Sequence, residues 1–143
     1  MLSKLLIAFT LMAMCVAIHA TGLLGIFYRI RASLASGHHS FWHSAWQLIF
    51  VAAWTVLLHL SQILVWAAVY RIGGAMKDFT TAAYFSAVTY TTTGYGDVVP
   101  PEEWRLVGGI EALTGILMCG LSTGMFFAVF STIFQLGKWH KST

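Results

Sequence analysis

Three long apolar runs, separated by one polar linker and one glycine-rich insert, set the pattern of the chain. Leu5 to Tyr28 carries no charge over 24 residues. At about 1.5 Å per residue, such a helix crosses a hydrocarbon core of roughly 30 Å. Gln47 to Tyr70 repeats the pattern over 24 residues, closed by Arg71, with Trp66 and Tyr70 suited to a membrane interface. The third run, from about Trp104 to Leu136, would be about 50 Å long as a helix, so it must tilt or protrude.

The segments between the runs differ in kind. Ala32 to Ser44 holds Ser36, Gly37, His38, His39, Ser40 and His43 and reads as a polar linker. His39 and His43 are four apart, so a helix would put them on one face, fit to bind a metal or to sense pH; a solvated interfacial loop is the plainer reading. After the turret Ile72 to Lys77, Asp78 is placed to cap a helix from Phe79 to about Thr91. That helix is too short to span, so it must dip into the membrane and return, with the negative end of its dipole directed inward. Val98, Val99, Pro100 and Pro101 form the outer turn, and Glu102 and Glu103 suit the positive start of the last helix or an outer mouth where cations gather.

With 58% hydrophobic and 9% charged residues in 143, and a mean hydropathy of +0.76, the chain is a membrane protein. Its net charge of +3 comes from single Lys and Arg residues at segment ends. No basic run exists for a nucleic acid. Cys15 and Cys119 each sit inside an apolar run and imply neither a disulfide nor a metal site. Lys4 followed by an apolar run, with Ala20 beyond, also fits a secretory signal. Cleavage would invert the later helices, so an uncleaved helix with its N-terminus outside is expected. Arg29 and Arg31 place the following loop in the cytoplasm under the positive-inside rule.

Tyr90-Thr91-Thr92-Thr93-Gly94-Tyr95-Gly96-Asp97 carries the chemistry. Rings of backbone carbonyls can replace the hydration shell of a cation if an extended strand stands beside a symmetry axis. Carbonyls that all point inward require alternate residues to take left-handed φ values, which Gly94 and Gly96 adopt without a Cβ penalty. Thr92 adds a hydroxyl ring at the inner mouth.

Thr92-Thr93-Gly94-Tyr95-Gly96 resembles the T-V-G-Y-G signature of the potassium-channel family, with Thr93 in place of Val. The resemblance runs from about Asp78 to about Gln135. It implies an all-α membrane protein: three transmembrane helices, a re-entrant pore helix and a selectivity-filter loop, four copies forming a tetrameric pore. The resulting division is an extra N-terminal helix over 1–31, a cytoplasmic linker over 32–45, a pore domain over 46–136 and a short cytoplasmic tail over 137–143. The resemblance further implies K+ as the permeant ion at Thr92, Thr93, Gly94 and Tyr95, with Gly96 completing the filter. It also implies no enzymatic reaction, no cofactor, a homotetramer and a place in the cell's inner membrane. Asp97 and Tyr84 support the filter, Phe85 backs it, and Gly115 takes the hinge position or serves as a packing glycine. Phe126, Phe127 and Phe130 are candidates for a hydrophobic gate, and Ser122 and Thr123 for cavity-lining polar groups. One filter strand per chain requires four chains.

Two further features stand beside that resemblance. Glu111 is the acid inside a spanning run, about 10 Å below Trp104 along the helix, and its burial is costly unless it is neutral or well paired. The pore-helix acid common in the family is here Val88. Glu111 is therefore expected to reach the pore helix and bond Thr89, Thr91 or Tyr84 as a neutral acid; the alternative is a carboxyl facing a watery cavity. His59, Ser61 and Gln62 at the middle of the second run are expected to bond across helices, with His19 as one partner. Alternative functions are a poorly selective cation channel, a regulatory channel subunit, or a metal or redox protein built on His19, His38, His39, His43 and His59.

Overall fold

The computed structural model describes residues 2–35 and 40–139, and all of their regular structure is helical. Helix α1 spans Leu2–Ala35, α2 Phe41–Ile72, α3 Phe79–Tyr90 and α4 Arg105–Trp139, with a 3-10 turn over Glu102–Trp104 before α4. Three of these helices are long and apolar enough to cross a membrane. This is the expected helix count, but the long helices overrun their apolar runs. α1 continues past Arg29 and Arg31, and α2 begins before His43, so most of the expected linker is helix. Charge ends a hydropathic run without ending a helix, because Arg is a good helix former outside the bilayer. Of that linker, His38 and His39 lie outside the described residues. Glu102 and Glu103 sit in the 3-10 turn, one step before the α-helix they were expected to open.

The short helix begins where the sequence placed it. Asp78 caps α3 by accepting a hydrogen bond from the Thr81 amide at 2.8 Å, and a second from the Thr81 hydroxyl at 2.8 Å. Those bonds hold the Asp78 carboxyl below its ordinary range. The cap is therefore intact at neutral pH and is lost as pH falls through that lowered value.

α1 and α4 run parallel, and α2 runs against both. Lys4 Nζ lies 3.3 Å from Glu103 and 4.7 Å above the Trp104 ring, which ties the start of α1 to the start of α4. Halfway down, Trp54 of α2 donates to the Gly22 carbonyl of α1 at 3.1 Å. At the far end Ile26, Ile30, Val51 and Val129 close a second apolar cluster, and the Arg29 guanidinium stands 4.0 Å over Phe50. α3 lies within the larger core, where Ala82, Phe85 and Tyr90 pack with Trp66 and Tyr70 of α2 and Val107 and Met118 of α4. Burial of large aromatic surface there fixes where α3 ends, and hence where the strand after it starts.

Candidate functional site

The strand after α3 leaves the helix through main-chain bonds that bend it back on itself. Thr92 donates its amide to the Thr89 carbonyl at 2.9 Å, and Gly94 donates to Val88 at 3.1 Å. Left-handed φ values recur at alternate residues: 58° at Thr92, 55° at Gly94 and 78° at Gly96. The two glycines take the conformation their residue type allows. Thr92 takes it against the preference of a β-branched residue, a feature not foreseen from residue type, and such strain gathers where function demands a fixed backbone. In the single chain, Thr92 to Asp97 are exposed.

Polar side chains pin the strand at both ends. The Tyr84 hydroxyl donates to Asp97 at 2.6 Å, and Asp97 also accepts from the Val98 amide at 3.1 Å. Thr91 bonds the Ala87 carbonyl at 2.7 Å, and its hydroxyl lies 2.9 Å from that of Thr93. Thr93 therefore has a polar partner where an apolar Val would have none. Phe85 packs behind in the core.

Glu111 is fully buried. It reaches α3, but its partners differ from the expected Thr89, Thr91 or Tyr84. Tyr70 of α2 donates to Oε2 at 2.7 Å, and Ser86 of α3 meets Oε1 in a very short contact. Ser86 also bonds the Ile63 carbonyl at 2.8 Å. A serine carries a single hydrogen, so it cannot serve both acceptors. A carboxyl that keeps its own proton and donates it to Ser86 satisfies all three groups. The residue threes and fours along α4 did not reveal these partners, because the crossing of α2 over α3 decides them. The burial of the side chain inside its own chain speaks against the cavity-facing alternative.

Gly115 stands where the end of α3 touches α4. A Cβ there would collide with the Tyr90 carbonyl, so the glycine permits close approach. α4 stays helical through it. Below lies a cavity of about 600 Å³ lined by His59, Tyr90, Thr92, Gly115, Cys119 and Thr123, among others. Thr123 takes its expected place there, whereas Ser122 turns away to meet His19 and His59 at 2.8 and 3.1 Å. Phe126, Phe127 and Phe130 are 39%, 70% and 49% exposed, on a face of α4 that the chain leaves uncovered.

Of the described histidines, His19 and His59 meet at Ser122, and His43 lies apart from them. His43 bonds Ser33 and Gln47, each at 3.2 Å, near the end opposite the filter. Among the described residues no three metal-binding side chains converge.

Residues 14–132 match the model of the family described as Ion channel. Over 89 residues the chain is 30% identical to the potassium voltage-gated channel protein Shal of Drosophila melanogaster, a stretch that covers 62% of this chain and 15% of that protein. No solved structure matches it. With most of its length inside that match, the chain belongs to the ion channel family, as its resemblance to potassium channels implied.

Proposed function

We propose that the chain is the pore subunit of a potassium-selective channel, with four copies around one axis and the carbonyls of Thr92, Thr93, Gly94, Tyr95 and Gly96 replacing the water around K+. The observation that carries this reading is the alternation of left-handed φ from Thr92 to Gly96, which suits a strand whose carbonyls share one direction. Asp97 and Tyr84 hold the outer end of that strand, and Glu111 supports it from behind through Ser86. Phe126, Phe127 and Phe130 supply the gate, and no catalytic step or cofactor is involved. The contact of Lys4 with Glu103 supports a common side for the start of α1 and the start of α4, which in this reading is the outside of the inner membrane, with the end of α4 in the cytoplasm.

In liposomes holding purified protein, K+ gradients should drive flux and reversal potentials should follow K+ over Na+. The mass in mild detergent should be that of four chains. Flux retained by a monomer or dimer would exclude the shared axis. Thr92→Cys should weaken block by internal Ba2+ while leaving the assembly intact; unchanged block would remove Thr92 from the ion path. A second reading, a channel of poor selectivity or a regulatory subunit, is favoured by the Thr93 hydroxyl and its bond to Thr91. Reversal potentials that ignore the choice of K+ or Na+ would select it.

A further inference from the structure

Five side chains from all four helices close a ring of hydrogen bonds at the inner end of α3. His19 Nε2 lies 2.8 Å from the Ser122 hydroxyl, which lies 3.1 Å from His59 Nε2. His59 Nδ1 is 3.1 Å from the Tyr90 hydroxyl, Tyr90 donates to Gln62 Oε1 at 2.6 Å, and Gln62 Nε2 returns to His19 Nδ1 at 2.8 Å. With the Gln62 amide oxygen toward Tyr90 and its nitrogen toward His19, counting hydrogens fixes every direction. Tyr90 gives its one hydrogen to Gln62, so it must accept from His59 Nδ1–H. Neutral His59 then takes the Ser122 hydrogen at Nε2. Ser122 in turn accepts from His19 Nε2–H, and His19 Nδ1 accepts from the Gln62 amide. Five donors meet five acceptors in one sense of rotation. The count holds only while both imidazoles are neutral and of opposite tautomer. An added proton on His59 Nε2 faces the Ser122 hydrogen, and one on His19 Nδ1 faces the Gln62 amide. Either sets donor against donor in a ring whose His19, Gln62 and Tyr90 are buried.

Tyr90 is the last residue of α3, its carbonyl lies against Gly115, and Thr91 and Thr92 follow it. We propose that His19, His59, Gln62 and Ser122 are positioning residues for ion passage: as a neutral ring they hold Tyr90, and through it Thr91 and Thr92, in the conducting place. This rests on the filter reading given above. It assigns α1 a part in permeation through His19, the one ring member that the pore elements themselves do not supply. His59 also lines the cavity that Thr92 lines, so protons in cavity water have access to the ring. The titratable groups whose charge would act on Tyr90 are Cys15 of α1 and Cys119 and Glu111 of α4. The two imidazoles face each other with centroids 5.0 Å apart. Glu111 is engaged with Tyr70 and Ser86, so no carboxylate is free to partner an imidazolium.

The test uses the full chain in liposomes, with K+ flux followed from about pH 8 down to about pH 4, since burial resists the charging of an imidazole, and 15N-histidine NMR of the same protein. At neutral pH the spectra should show His19 protonated on Nε2 and His59 on Nδ1. Flux should fall about tenfold as pH is lowered across that range. Tyr90→Phe, which removes a single oxygen, and Ser122→Ala should each lower neutral flux severalfold and flatten the pH response. Alanine at His38, His39 and His43 together should leave the acid response in place. The same tautomer at both histidines, or wild-type flux and pH response in Tyr90→Phe and Ser122→Ala, would overturn the ring and leave the filter reading standing. Absence of K+ flux from the unaltered chain at every pH, with the expected tautomers present, would sink the filter reading and the ring's role with it.

Discussion

Glu111→Val is expected to destabilise the protein by about 3 kcal/mol, and Glu111→Gln by only about 1. The side chain is fully buried and serves Tyr70 from one oxygen and Ser86 from the other. Valine leaves both hydroxyls facing apolar surface, while glutamine keeps an acceptor for Tyr70 and a donor for Ser86. Unfolding of the purified variants in detergent should rank them in that order, and K+ flux should survive in Gln but not in Val. A protonated-carboxyl stretch in the infrared spectrum, lost in Glu111→Gln, should accompany the unaltered protein. Equal losses of conductance from both variants, relieved by high salt, would show a cation-attracting charge and defeat the support role.

The second large effect falls on Gly115. Alanine has nowhere to place its methyl group except against the Tyr90 carbonyl, so α3 and α4 must separate at the point where the filter strand begins. Overpacking of a tight contact costs about 1–3 kcal/mol. Because the obstacle is backbone, the displacement should pass to Thr91 and Thr92 and reduce flux more than tenfold. Gly25→Ala in α1, where an added Cβ meets nothing within 4 Å, should gain up to about 1 kcal/mol from helix propensity. A Gly115→Ala protein of normal stability whose opening alone is altered would identify a hinge instead.

Much of the architecture could be read from the chain because membrane helices are written in runs of apolar residues. The short re-entrant helix was legible for a different reason, since Asp78 marks its start and its length forbids crossing. Helix ends were not legible. Hydropathy measures where lipid stops, and the backbone of α1 goes on for several residues beyond Tyr28. Gly94 and Gly96 declared their conformation through residue type, whereas the left-handed Thr92 could not, because nothing in a threonine announces it. The expectation that His59, Ser61 and Gln62 would bond across helices was met at Gln62, which reaches His19, and at His59, which reaches Tyr90 and Ser122, but not at Ser61, which bonds back to the Leu58 carbonyl of its own helix. Tyr90 and Ser122 as the links between them were missed, because residues 19, 59, 90 and 122 become neighbours only through the packing of four helices. The same holds for Ser86 and Tyr70 around Glu111.

The parallel pairing of α1 with α4 also bears on the order in which the molecule can be made. Synthesis delivers α1 to the bilayer first, and its antiparallel neighbour α2 next, which brings Gln62 to His19 but not Ser122. Until α4 is inserted, His59 and His19 share a gap in their hydrogen bonding, and Lys4 lacks both Glu103 and Trp104. Loose α1–α2 hairpins hold polar groups that lipid cannot satisfy. Ribosome-bound chains stalled before α4 should therefore be captured by membrane chaperones or proteases, and release should coincide with emergence of the last helix. The residue that completes the ring thus also closes the period in which the young chain is vulnerable.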